Sequence, residues 1–220
     1  MSTLWNEVLE LVRAKGKNIQ GTEDDDRLEG GGGNDIIRAR GGDDVVKGGK
    51  GNDNIDGGSG DDKLHGNAGN DNIKGGSGRD VIKGDAGNDK LSGGAENDKL
   101  EGGAGNDAIK GDAGDDKLFG DKGRDILSGG TGNDSLRGGG NDDTLSGGTG
   151  ADTFIFGKRE GNDTIRDFKA GTDLIDLRGQ TYTVSENKAG SAVLDLSEGG
   201  SVTLKGIDMA DVSSDWFIIA

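Results

Sequence analysis

The chain has no cysteine, no proline and a single histidine, and aromatic residues make up only 4% of its 220 positions. Without cysteine there is no disulfide framework, and without cysteine or a histidine cluster the soft and borderline metals lack their ligands. No run of about 18 apolar residues exists, which excludes a transmembrane helix. The N-terminus lacks the basic region and apolar stretch of a classical signal peptide. Neither the H-E-x-x-H pattern of zinc proteases nor the G-x-S-x-G nucleophile elbow is present, so no enzymatic activity is expected of this chain itself. Hydrophobic residues are also scarce, at 29%. Taken alone, that composition describes a disordered acidic chain with too little apolar surface to offset chain entropy. The formal net charge of −16 provides no basic footprint for nucleic acid.

What is abundant is glycine, 47 residues, and aspartate, both at a fixed period. Fifteen copies of one nine-residue motif, G-G-x-G-x-D-x-U-x with U a large apolar residue, run from Gly21 to Ile155 without a break in register. Gly48-Gly49-Lys50-Gly51-Asn52-Asp53-Asn54-Ile55-Asp56 is a clean copy. The sixth position is always aspartate: Asp26, Asp35, Asp44, Asp53, Asp62, Asp71, Asp80, Asp89, Asp98, Asp107, Asp116, Asp125, Asp134, Asp143 and Asp152. The eighth is always apolar, from Leu28 to Phe154. The first position is glycine except at Ala39, and the fourth is glycine except at Asp24, Glu96 and Asn141. At the second, most non-glycine residues are Asn or Asp, the types that tolerate left-handed backbone, with Thr22 and Arg40 as exceptions.

This pattern predicts an all-β parallel solenoid, a β-roll. Positions seven to nine form a three-residue strand with position eight pointing in, and six turn residues follow. Two motifs complete one coil, and stacked coils make two parallel sheets around a single apolar seam. One buried side chain per nine residues is too little to order nine residues. Something must therefore neutralise the acid and hold the turns. Turns of like parity stack, and each gap offers two aspartates plus backbone carbonyls, an all-oxygen site suited to Ca2+. The odd copies make seven gaps and the even copies six, which gives up to about 13 ions. Were the aspartates only closing Asx-turns, position six would drift among Asp, Asn and Ser.

The nonapeptide from Gly21 to Ile155 is a recognised calcium-binding signature, and the chain resembles the RTX (repeats-in-toxin) family. The stretches Ala151–Gly157 and Gly161–Phe168 resemble the segment that follows the roll in serralysin-type proteases. The resemblance implies a bacterial protein exported unfolded by type I secretion machinery, which folds outside the cell or at its surface on meeting calcium. The terminal Asp215-Trp216-Phe217-Ile218-Ile219-Ala220 resembles the family's uncleaved export signal. An edge strand capping the roll is the other reading of that segment. The resemblance also implies that Asp163, Asp167, Asp173 and Asp176 hold one further ion.

Three parts are expected: an N-terminal capping helix over 1–20, the roll over 21–155, and a β-rich cap over 156–220. The helix rests on the stripe Leu4, Val8, Leu11 and Val12. Ile19 extends the position-eight ladder by one step, while the matching sixth position is Lys17, which cannot bind calcium. A stand-alone surface or matrix protein is the expected function; the alternative is the C-terminal folding and secretion module of a larger protease, lipase or toxin. Outward residues of the odd copies form a basic ladder, Arg27, Lys47, Lys63, Lys83, Lys99, Lys117 and Arg137, against Glu29 and Glu101. An anionic surface polysaccharide is its candidate partner; simple solubility of a flat sheet is the plainer explanation. His65 falls at an outward ninth position and reads as solvated.

Overall fold

The computed structural model describes residues 15–218. The stripe expected to form a capping helix lies outside the described residues, and Asn18–Gln20, at the end of that segment, is a strand. From there the chain winds as a parallel β-roll. Through the roll, successive strands alternate between two sheets, one of twelve strands and one of nine, and the neighbours are every second strand in the chain; the last three strands join the larger sheet out of that order. Each strand pairs with the one 18 residues on, as in Lys99↔Lys117 and Leu100↔Leu118. That offset is two motifs, so one coil is two nonapeptides.

The strands are longer than the sequence pattern suggests. From Arg27–Gly32 to Thr144–Thr149 each spans six residues, such as Lys99–Ala104, and covers positions seven to nine and the first three of the next motif. Only positions four to six remain as turn. The burial pattern buried-in, exposed-out continues through the first glycine, which is interior in every described copy from Gly30 to Gly147 except Ala39, itself fully buried. The glycines at two and four have positive φ, as at Gly49 (115°) and Gly51 (114°). There, an added Cβ would also strike the backbone of the coil below, 2.4 Å from Gly31 O in the case of Gly49. The Asn and Asp residues at position two adopt the same region, as at Asn67 (75°) and Asp85 (74°). Arg40 is forced into it at 87° and Glu96 at 71°.

The seam is one side chain thick. Position-eight residues from Ile37 to Phe154 are 0–2% exposed, and Ile19 joins the stack opposite Ile37. Beyond Ile155 the period of nine ends but the coil does not. Leu145 pairs with Ile165 and Phe154 with Ile175, so both stand at position eight of a further turn. The spacings there are 20 and 21 residues rather than 18. The end is covered by an antiparallel hairpin, Tyr182–Glu186 with Ala192–Leu196, which runs on to Ser201–Leu204. That last strand pairs in parallel with Asn162–Ile165. Phe168 packs on Phe154 at 6.2 Å between ring centres and Trp216 on Phe168 at 5.1 Å, and together they plug the seam. Phe217 bridges Ile175 in parallel, so the C-terminal segment does lie against the roll as a strand edge.

Candidate metal centres

Each position-six aspartate is buried in the turn, 1–3% exposed from Asp35 to Asp152. One carboxylate oxygen is accounted for: Oδ1 accepts the backbone N–H of the aspartate one coil earlier, as from Asp89 N to Asp107 Oδ1 at 2.7 Å. These bonds run through the roll as two continuous rows. The even row passes from Lys17 N to Asp35 and ends at Asp143 N to Asp163. The odd row passes from Asp26 N to Asp44 and ends at Asp152 N to Asp173.

The second oxygen is not accounted for. Oδ2 of fourteen aspartates, every one from Asp35 to Asp152, is buried without a hydrogen-bond partner. A buried carboxylate oxygen left unpaired is costly, and fourteen in register point to a common missing partner that is positively charged. The geometry around eleven of the fourteen is the same. A Cβ placed on the first glycine of the motif would fall 2.1–2.4 Å from its own Asp Oδ2 and 2.3–2.9 Å from the carbonyl oxygen of the first glycine two motifs later. Twelve copies show this pair of oxygens converging on the bare Cα: those starting at Gly30, Gly48, Gly57, Gly66, Gly75, Gly84, Gly93, Gly102, Gly111, Gly120 and Gly129, and more loosely the one starting at Gly21, at 2.7 Å from Asp26 Oδ2 and 2.4 Å from Ala39 O. The first glycine is thus required not for its backbone angle but for the empty space it leaves beside two oxygens.

Two copies depart. Asp26 Oδ2 is already taken by Thr22, through its N–H at 2.7 Å and its hydroxyl at 3.0 Å. The Ala39 methyl occupies the place that the other copies leave open. Among the described residues, no three His, Cys, Asp or Glu side chains gather as one cluster, so carbonyl oxygens must complete any coordination shell. Such a mixed oxygen set fits Ca2+.

Position five shows why position six is always aspartate. It too forms a ladder, with Asn52 N donating to Asn34 Oδ1 and Asn133 N to Asp115 Oδ1 at 2.7–2.8 Å. There Asn and Asp interchange freely, because one acceptor oxygen suffices and the side chain is exposed. A purely hydrogen-bonding position six would vary in the same way. It does not, so the second oxygen and its charge are what the position requires.

Without a counter-ion, the stacked acids resist ionisation. Burial pushes the carboxyls of Asp62, Asp71 and Asp125 up to about 6. It pushes Asp80, Asp107, Asp134 and Asp143 to about 7, and Asp98 to about 8. The backbone N–H that each accepts pulls the other way, and for most of them carboxylates one coil away add to the rise.

The four acids after the roll are not brought together. Asp163 and Asp173 take position-six places at the ends of the two rows. Burial raises the Asp163 carboxyl to about 8. Asp167 instead accepts the N–H groups of Gly147 and Gly148 at 3.0 Å, and Asp176 accepts Arg178 N and pairs with its guanidinium at 3.1 Å. Composition gave no sign of the continued rows, because the spacing changes from 18 to 20 and 21. His65 is half-buried, with Nδ1 3.4 Å from Asp85 Oδ2, rather than freely solvated. On the outer basic ladder, Lys83 and Lys99 both hold Glu101, and Arg137 holds Glu160. The ladder is therefore interrupted, and Arg27, Lys47, Lys63 and Lys117 remain without an acidic partner among the described residues.

Two rows of buried acidic turns flanking a thin parallel roll define a cation-stacked β-solenoid. The model of the RTX calcium-binding nonapeptide repeat matches five overlapping stretches, 18–46, 39–73, 65–100, 92–127 and 119–154, and the chain belongs to that family. Its repeats are calcium-binding repeats. The extracellular lipase LipA from Serratia marcescens is a similar solved structure, at 22% identity and TM-score 0.47. The match covers 94% of this chain but 40% of the lipase, so the chain spans less than half of that protein's length. A subunit, AlgE6R3, of the mannuronan C5-epimerase from Azotobacter vinelandii matches at 31% identity and TM-score 0.31, over 57% of this chain and 79% of the subunit. Comparison with curated proteins returned no match. Among the described residues, no helix is long and apolar enough to cross a membrane.

Proposed function

We propose that the chain is a secreted protein whose folding is switched by calcium, with the fifteen position-six aspartates as the side-chain ligands. One observation carries this: fourteen buried carboxylate oxygens stand in two rows without a partner. Bringing them into register without a cation sets acid against acid in a dry turn, and the single-residue seam cannot compensate. Bound calcium supplies the opposing charge. At the low calcium of a bacterial cytosol the chain stays unfolded and suitable for type I export; at the calcium level outside, it folds. Up to thirteen gaps lie between repeat turns, and the eleven with both an open first-position glycine and an unpartnered Oδ2 are the strongest sites.

Circular dichroism of the purified chain, titrated with calcium and in parallel with magnesium, tests the switch. A cooperative coil-to-β transition with calcium alone is expected. A chain already folded in chelator would overturn it.

The same switch serves a stand-alone surface or matrix protein or a module attached to a larger enzyme or toxin. An upstream catalytic reading frame joined to this one would select the second. Docking to an anionic polysaccharide would have to use the four unpaired cations of the outer ladder, Arg27, Lys47, Lys63 and Lys117, and replacing all four with alanine would abolish it.

A further inference from the structure

We infer that Lys17 is a built-in cation that closes the first gap of the even row, so that this end of the ion stack needs no metal. The inference rests on the calcium reading of the rows. Lys17 occupies the sixth position of the turn that precedes the first motif. Its main chain behaves as any aspartate of the row does: Lys17 N donates to Asp35 Oδ1 at 2.6 Å, as Asp35 N donates to Asp53 Oδ1 at 2.7 Å. Its side chain therefore leaves the backbone where the aspartate side chains leave theirs.

The side chain also reaches the same place. Each aspartate of the even row from Asp35 to Asp125 directs Oδ2 toward the gap lined by the first-position carbonyl thirteen residues on, as Asp35 does toward Gly48 O. Lys17 Nζ donates to Gly30 O, also thirteen residues on. A carbonyl that a metal would otherwise neutralise thus meets an ammonium fixed to the chain. The terminal gap could not hold a metal well, since it has lost one of its two carboxylates. The lysine supplies the charge and the donor at once.

The far end of the odd row is finished in a similar manner. Lys169 Nζ donates to Gly148 O, while its backbone N–H donates to Asp173 Oδ2 at 2.8 Å. A row of divalent ions must stop somewhere: at the first end the lysine stands where one carboxylate is lost, and at the second where the Lys169 N–H already takes Asp173 Oδ2.

The test compares the wild-type chain, Lys17→Met and Lys17→Arg, each saturated with calcium, by amide hydrogen exchange. Methionine keeps the length and apolar stem but removes the charge; arginine keeps the charge. Exchange in Asn18–Gln20 and Ile36–Arg38 should be at least roughly tenfold faster in Lys17→Met, the effect of one charge-assisted hydrogen bond on local opening. Lys17→Arg should stay near wild type, and amides of the central coils should not change in either. Equal exchange in Lys17→Met and wild type, or equal loss in both variants, would overturn the inference. A wild-type chain that does not fold with calcium would instead defeat the reading of the rows, and would show so without any variant.

Discussion

Replacing one buried aspartate by asparagine should have opposite effects with and without calcium. Asp107 sits mid-roll and 2% exposed. Its Oδ1 accepts Asp89 N at 2.7 Å and its own N–H donates to Asp125 Oδ1 at 2.8 Å, while Oδ2 has no partner. Asp107→Asn keeps both ladder bonds and the shape. It changes only the charge and converts the orphan acceptor into a donor, which can face the carbonyl of Gly120 on the same cradle. Without calcium, a buried acid raised to about 7 is replaced by a neutral group, so the empty roll becomes less unfavourable. With calcium, one site loses a charged ligand. A site filled at a hundredfold excess over Kd contributes ~2.7 kcal/mol. For a domain of this size that corresponds to a Tm roughly 5–11 °C lower. The assay is thermal denaturation followed by circular dichroism at saturating calcium. The control is Asp115→Asn, which changes an exposed position-five acceptor that asparagine fills in neighbouring motifs. If Asp107→Asn lowers Tm no more than Asp115→Asn does, the orphan oxygen is not a calcium ligand.

Gly84→Ala places a methyl 2.3 Å from Asp89 Oδ2 and 2.7 Å from Gly102 O at a position of ordinary φ, so equilibrium dialysis should find about one ion fewer; an unchanged ion count would show that the space beside the glycine is not the binding place. Arg40→Gly relieves a φ of 87° at the cost of only an exposed bond to Gln20, and should raise Tm by roughly 2–4 °C; a lower Tm would mean that the arginine stabilises the end of the roll. The pH dependence has a definite sign. In the empty roll the acids hold protons up to pH 6–8, whereas the unfolded chain releases them near 3.8. The stability of the empty roll is therefore intact below the unfolded value and is lost as pH rises through the folded values. Calcium folds an unfolded chain that is already ionised well above 3.8 into a roll whose acids are ionised, so the calcium concentration at the folding midpoint should be flat between pH 6 and 8 and rise only as pH falls toward 3.8. A midpoint that falls steeply between pH 6 and 8 would show that calcium binds a preformed, protonated roll and would contradict the switch.

Most of the architecture is legible in the repeat itself. The invariant Asp and apolar positions fix which side chain faces the turn and which the seam, and the 18-residue pairing follows from two motifs per coil. Two things are hidden. The first glycine looks like a turn residue by composition, yet it sits inside a six-residue strand, because its empty space rather than its backbone freedom is what the site uses. Nothing in the residue types alone separates those two reasons for glycine. The continuation through Asp163–Ile165 and Asp173–Ile175 is hidden for a different reason. Insertions of two and three residues leave the inward pair in register, so the coil survives while the sequence period is lost. Periodicity in sequence is sufficient for a solenoid, but the buried pair at positions six and eight is what a coil requires.

That pair also sets the order in which the roll can form. The apolar residue and the aspartate are two positions apart on one strand entry, so docking a coil buries both together. Each added coil brings its aspartate N–H to the carboxylate of the next, and brings the charges of like turns into adjacent layers. The hydrophobic gain and the electrostatic cost therefore arrive in the same step and cannot be separated in time. On the proposed calcium reading, a coil docked without a cation carries a penalty that only the following ion removes, so a partly filled roll should be no refuge for the chain. Folding should accordingly be steep in calcium, with coil and ion added as one unit from any formed neighbour. Because Lys17 and Lys169 bring their charge with the chain, the two ends that they close are where a first coil can dock at the lowest calcium.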